Sequence, residues 1–170
     1  MRPTLIALLL LAATITSCKN SKQALELNNT LSGYTTSLQK TGTKLNGALT
    51  GAATSKDFSE VDKYYKQAMS QISDYLQKVD ETEDVGNSGK LLNAMKDLLN
   101  YDKKFMKEAV MPITKMDKNT TDEEINTAYQ KLREDAEGET KYLTRLQKEQ
   151  KAYAKANRFK IEATPAAKEE

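Results

Sequence analysis

From Leu27 to Tyr153 the apolar residues return at steps of three and four, with no strand-like alternation. That spacing lines them up on one side of an α-helix, while a strand would scatter them over both faces. Such a chain hides its apolar stripes by packing helix on helix. The first stripe, in residues 21–49, holds Leu27, Leu31, Tyr34, Leu38, Leu45 and Leu49. The second, in residues 56–79, holds Phe58, Val61, Tyr65, Ala68, Ile72, Tyr75, Leu76 and Val79. A third starts near Ser88 and carries Leu91, Met95, Leu98, Leu99, Phe105, Met106 and Val110. The fourth, residues 122–157, carries Ile125, Ala128, Tyr129, Leu132, Ala136, Tyr142, Leu143, Leu146 and Tyr153. The expected fold is all-α: an antiparallel up-down four-helix bundle over residues 21–161.

The boundaries follow from turn and capping chemistry. Gly33, Gly42 and Gly47 each cost about 1 kcal/mol against alanine inside a helix, and the threonines around them are β-branched. The first helix is therefore expected to be the weakest, and a three-helix bundle with a loose first helix is the rival topology. A break is expected at residues 51–55, and "DETEDVGNSG", residues 80–89, reads as a turn. Pro112 removes a backbone donor and crowds the preceding turn, which predicts a kink or an end near Met111 with a last turn over residues 113–116. In "KNTTDEEI" Thr121 and Glu124 match a capping box, and Asp122, Glu123 and Glu124 load the first turn with negative charge. The tail "EATPAAKEE", residues 162–170, is expected to be disordered.

Composition narrows the chemistry. The 170 residues contain no histidine and no tryptophan, and a single cysteine. Histidine is the usual proton mover near neutral pH and the commonest metal ligand, so most hydrolytic and redox designs are excluded and no enzyme activity is expected. The formal charge is +2, with both signs interleaved. That balance makes no electrostatic case for nucleic acid.

The chain opens "MRPTLIALLLLAATITSCKN". Arg2, the apolar run of residues 5–13 and the small polar residues behind it have the layout of a secretory signal. The run is too short for a membrane span, which needs about 20 apolar residues. In place of an A-x-A site stand Ile15, Thr16, Ser17 and Cys18. This segment resembles the lipobox of bacterial lipoprotein precursors, with Ile15 where leucine is usual and Ser17 where glycine or alanine is usual. The resemblance implies cleavage after residue 17 and acylation of Cys18 by a diacylglycerol and an N-acyl chain such as palmitate. Residues 18–20 are then a lipidated N-terminus, and no other cofactor is expected. A lone thiol in an exported chain otherwise lacks a partner, and two or more acyl chains give stable attachment where one does not. Losing Arg2 leaves 25 basic against 24 acidic residues in a mature chain of 153. In enterobacterial precursors of this kind an aspartate after the cysteine favours the inner membrane, so the resemblance, with Lys19 there, implies the outer membrane. The ending "LQKEQKAYAKANRFKI" resembles helical lipoprotein families of Bacteroidetes and spirochaetes, which have no established activity. It implies a surface or periplasmic setting.

Several side chains are candidates for more specific work. Glu81, Glu83 and Asp84 offer oxygen ligands for calcium but lack the alternating frame of the known loop, so a solvated turn explains them. Asp122, Glu123 and Glu124 as an acid–base set compete with plain helix-start electrostatics. Asp102 and Asp135 interrupt apolar stripes, and without a Glu-x-x-His pair the usual bundle metal site cannot form. Asn28 and Asn119 fit the glycosylation pattern, a chance match in a bacterial setting. Tyr64, Tyr153, Arg158 and Phe159 are the expected partner contacts, since aromatic residues and arginine are enriched at interfaces; helix packing is their plainer explanation. Met69, Met95, Met106, Met111 and Met116 make a soft interior. They raise an alternative to an interaction or structural module, a carrier holding a small apolar ligand between helices.

Overall fold

The computed structural model describes the backbone of residues 12–161 and the side chains of residues 21–161. The apolar run of residues 5–13 lies almost wholly outside the described residues, as do the Cys18 thiol and the tail. The described residues are all-helical. They form α1 (Ala12–Ser55), α2 (Ser59–Glu81) and α3 (Gly89–Phe105), then a π-helical turn (Met106–Val110) and the short α4 (Met111–Ile113). α5 (Asp122–Glu137) and α6 (Glu139–Ala156) complete the chain. α3, the π turn and α4 make one rod, α5 and α6 another, so four rods pack together.

Neighbouring rods run in opposite directions. Tyr34 stacks on Tyr75 at 4.3 Å between ring centres, and one turn up α1 Ser37 meets Gln71, which lies one turn down α2. Tyr101 of α3 stacks on Tyr142 of α6 at 4.7 Å, and Asp97 pairs with Arg145. α2 packs on α3, and α1 meets α6 to close the ring of four. The shared interior is built from Leu31, Val61, Ile72, Leu91, Met95, Leu98, Leu99, Val110 and Ile113, each at most 2% exposed.

α1 departs from expectation. It passes unbroken through Gly33, Gly42, Gly47 and Gly51, and the break falls at Lys56, whose φ is +56°. All four glycines face solvent, with nothing within 4 Å of where a Cβ would stand. The inward stripe of Ala24, Leu27, Leu31, Leu45, Leu49 and Ala52 is buried. Burying each leucine contributes about 2 kcal/mol, which outweighs a glycine penalty near 1 kcal/mol per site. The loose first helix is thus corrected to a docked one.

The proline behaves as expected, whereas the last rod does not. Pro112 stands one residue before its helix ends, as expected: the preceding turn widens into the π turn, and the Met111 N–H reaches back to the Met106 carbonyl. That five-residue bond gives room where the proline ring would otherwise strike the backbone of Glu108. The helix then closes at Ile113, with Met116 N–H on the Ile113 carbonyl at 3.1 Å. The single fourth helix expected over residues 122–157 is divided at Gly138. Its start is as expected: Thr121 and Glu124 form a reciprocal capping box.

Candidate functional site

Three places in the structure gather groups with chemical potential. The first is the helical end where the chain returns past its own α2–α3 turn. Gly86 stands in the left-handed region at φ +59°, and a Cβ there would lie 2.2 Å from Asn157 Oδ1. The position demands glycine twice, for its backbone and for that approach. Asn157 Nδ2 donates to the Gly86 carbonyl at 3.0 Å, and Tyr153 Oη donates to the Val85 carbonyl at 2.7 Å. The Phe159 ring meets Tyr153 edge-on at 5.8 Å. The adjacent Ser88 side chain is buried, donates to Asp84 at 3.0 Å and accepts the Val85 N–H at 3.1 Å.

This geometry places the expected contact residues unequally. Tyr153 is 4% exposed and serves the interior, and Phe159 is half-buried against it. Arg158 is exposed at φ +58°, a backbone value that turns the chain. Tyr64 lies elsewhere, half-buried on α2 with the Lys63 ammonium 5.1 Å from its ring centre. The structure therefore joins Tyr153, Arg158 and Phe159 at one end and leaves Tyr64 apart. Burial, with the Asp84 carboxylate second, raises the Tyr153 hydroxyl above its ordinary value. Asp84 is already engaged by Ser88.

The second place is the junction of α3, α5 and α6. Burial pushes the Asp102 carboxyl up to about 7, and the nearby Glu139 carboxylate adds to the rise. Glu139 is raised as well, through burial. Tyr101 donates its hydroxyl to the Asp135 carbonyl, while Gly138 N–H reaches that carbonyl at 3.3 Å. A Cβ on Gly138 would stand 2.5 Å from the Tyr101 hydroxyl. The tyrosine tip is thus a wedge between α5 and α6, which is why the rod divides there. Asp135 turns outward to Lys131 at 2.6 Å. So Asp102 and Asp135, both singled out by sequence, have different fates. The importance of Glu139 and Gly138 was invisible, since only the Tyr101 contact across helices marks them. A proton can be held here near neutral pH.

The third place is the opposite end, where Lys56 bridges the Thr120 carbonyl at 3.0 Å and Asp122 at 2.8 Å. The Lys56 ammonium holds Asp122 below the usual carboxylate range, and the bonds from Thr121 do the same for Glu124. These acids thus cap and tie α5. Lys56, Phe58, Asp62, Met116 and Lys118 help line a cleft of about 480 Å³ at this end. A second cleft of about 420 Å³ lies by Gly86, Lys90, Glu149 and Tyr153. Both lie open to solvent at the ends of the bundle, with apolar and charged side chains mixed in their walls. Met95 and Met106 are buried in the shared interior, and Met69 and Met116 pack against it.

Among the described residues, no three acidic or thiol side chains converge closely enough to hold a metal ion. Nor is any helix among them long and apolar enough to cross a membrane. Compared with known proteins, the chain matches no family model, no curated protein and no solved structure.

Proposed function

We propose that this chain is a non-enzymatic, lipid-anchored module of a bacterial cell envelope. In this reading residues 1–17 are a signal removed on export, and Cys18 carries a diacylglycerol and an N-acyl chain. The body is an antiparallel up-down four-helix bundle that works by interaction or as a structural element at the outer membrane. The observation that carries the reading is the short apolar run followed by Ile15, Thr16, Ser17 and Cys18, the only thiol in the chain. The lack of histidine supports the non-enzymatic part. Both clefts lie open at the ends of the bundle rather than enclosed between helices, which favours contact with a surface or a protein over carriage of an apolar ligand. A protein contact is proposed for Tyr64, while Arg158 and the outer edge of Phe159, with Tyr153 behind it, are proposed to meet a surface at the other end.

Metabolic labelling with radioactive palmitate tests the anchor. The wild-type protein should take up label and show a mature N-terminus at residue 18, and Cys18→Ser should take up none. A wild-type product without label, or one cleaved elsewhere with a free thiol, overturns the reading.

A further inference from the structure

The bundle end at which α1 begins is the end to which the C-terminal residues return. Tyr129 donates to the Leu49 carbonyl and Gln150 to the Asn28 carboxamide, so 21 residues of one rod match 21 of the other in opposite directions. Seven residues further on, Asn157 comes level with Ser21, three positions after Cys18. Residues 158–161 are held there by Asn157 on the Gly86 carbonyl and by Phe159 on Tyr153.

We propose that this end is a lipid-facing surface, seated on anionic phospholipid head groups through Arg158 and Lys160, with Ile161 reaching the acyl boundary. The proposal rests on acylation of Cys18 and adds to it an orientation and a lipid class.

Tether length is the first support. α1 is continuous from Ala12 to Ser55, so Cys18 is joined to Ala24, the first buried residue among the described side chains, by six helical steps. At 1.5 Å per residue that is about 9 Å, less than the width of one helix with its side chains. The polar layer of each leaflet is about 5–8 Å deep. Acyl chains in the bilayer therefore hold the bundle end within reach of the head groups.

Charge is the second. Lys155, Arg158 and Lys160 are exposed, and none of them pairs with a carboxylate among the described residues. The acidic side chains of the neighbouring turn are mostly engaged. Asp80 pairs with Lys96 at 2.6 Å, Glu81 accepts from Gln77 at 2.8 Å, and Asp84 accepts from Ser88. Glu83 alone of that turn is left without such a bond. Cations within a Debye length of an anionic leaflet are drawn to it, and the tether keeps these three inside that distance. Ile161 is 40% exposed, the one large apolar side chain so exposed among the described residues. Beside the three cations it completes a small amphipathic foot.

The chain has no tryptophan, so an introduced indole reports its own position. The acylated protein carrying Ile161→Trp is reconstituted into vesicles of phosphatidylethanolamine and phosphatidylglycerol, with flotation recording attachment. Its emission should shift to the blue and be quenched by lipids brominated along the acyl chain. Lys118→Trp, at the far end, should show neither effect. Adding Arg158→Glu and Lys160→Glu to Ile161→Trp should remove most of the quenching while flotation is unchanged. A floating protein whose Ile161→Trp indole stays unquenched overturns the seated end and leaves the anchor standing. Quenching that survives both charge reversals overturns the head-group contact. Protein that fails to float removes the anchor and the orientation together.

Discussion

Between α1 and α2 the polar side chains that enter the packing are hydroxyls and amides, whereas between α3 and α6 they include two carboxyls held up by burial, Asp102 and Glu139. Thr41, 3% exposed, donates to Gln71 Oε1 at 2.8 Å and accepts from Gln67 at 3.4 Å, while Gln71 donates to Ser37 at 3.3 Å. That layer carries no charge and its members satisfy one another. Asp102 and Glu139 are instead each pushed toward the neutral form by burial, and the charge of Glu139 deepens the effect on Asp102. Neutral polar layers specify register at every pH, while buried carboxyls make stability depend on a proton.

The largest expected effect comes from titrating that second region. The Asp102 pKa is 3.8 when unfolded and about 7 in the fold, so the native state binds more protons between those values. The contribution of Asp102 is therefore fully present below about pH 4 and is lost as pH rises through about 7. We expect urea unfolding to show about 2–4 kcal/mol less of this contribution at pH 8 than at pH 4. Subtracting the profile of Asp102→Asn isolates the contribution of this carboxyl. A difference profile that is flat, or rises with pH, breaks the contrast.

Next in size, Thr41→Val keeps the shape but leaves the Gln71 carbonyl oxygen without its donor, at a cost of about 1–3 kcal/mol. The loss should be the same at pH 5 and pH 8, and a strongly pH-dependent loss would count against a neutral layer. Tyr101→Phe removes one hydroxyl bond to the Asp135 carbonyl, for about 1 kcal/mol. Hydrogen exchange should show that the amides around Gly138 exchange more slowly as α5 and α6 rejoin; unchanged exchange would mean the wedge does not divide the rod. The smallest effect is expected from the solvent-facing Lys66–Asp62 pair on α2. Lys66→Ala should shift stability by about 0.5 kcal/mol or less, and less still in high salt.

The sequence showed the helical period, the capping box at Thr121 and most inward residues, because these depend on neighbours three and four positions away. It pointed to Asp102 as an anomaly in a stripe but not to its partner. Glu139 reads as one more exposed acid in a charged helix until α6 is laid against α3. The glycines of α1 were misleading for a related reason. Their cost is intrinsic to the local chain, while the burial that offsets it comes from helices far away in sequence. Tyr153 and Phe159 looked available for a partner, since a helical stripe does not reveal that Val85 and Gly86 come back to meet them.

Local periodicity, turn chemistry and residue types thus determined by themselves that the chain is helical, where most rods start, and that histidine chemistry is absent. Tertiary packing alone decided that α1 stays whole and that Tyr101 divides the last rod at Gly138. It also decided that Asp102 holds its proton near neutrality and that residues 158–161 share an end with the start of α1. The physical reason is one of range. Propensity and capping act within about one helical turn, whereas desolvation and close approach depend on what another segment brings to the same place.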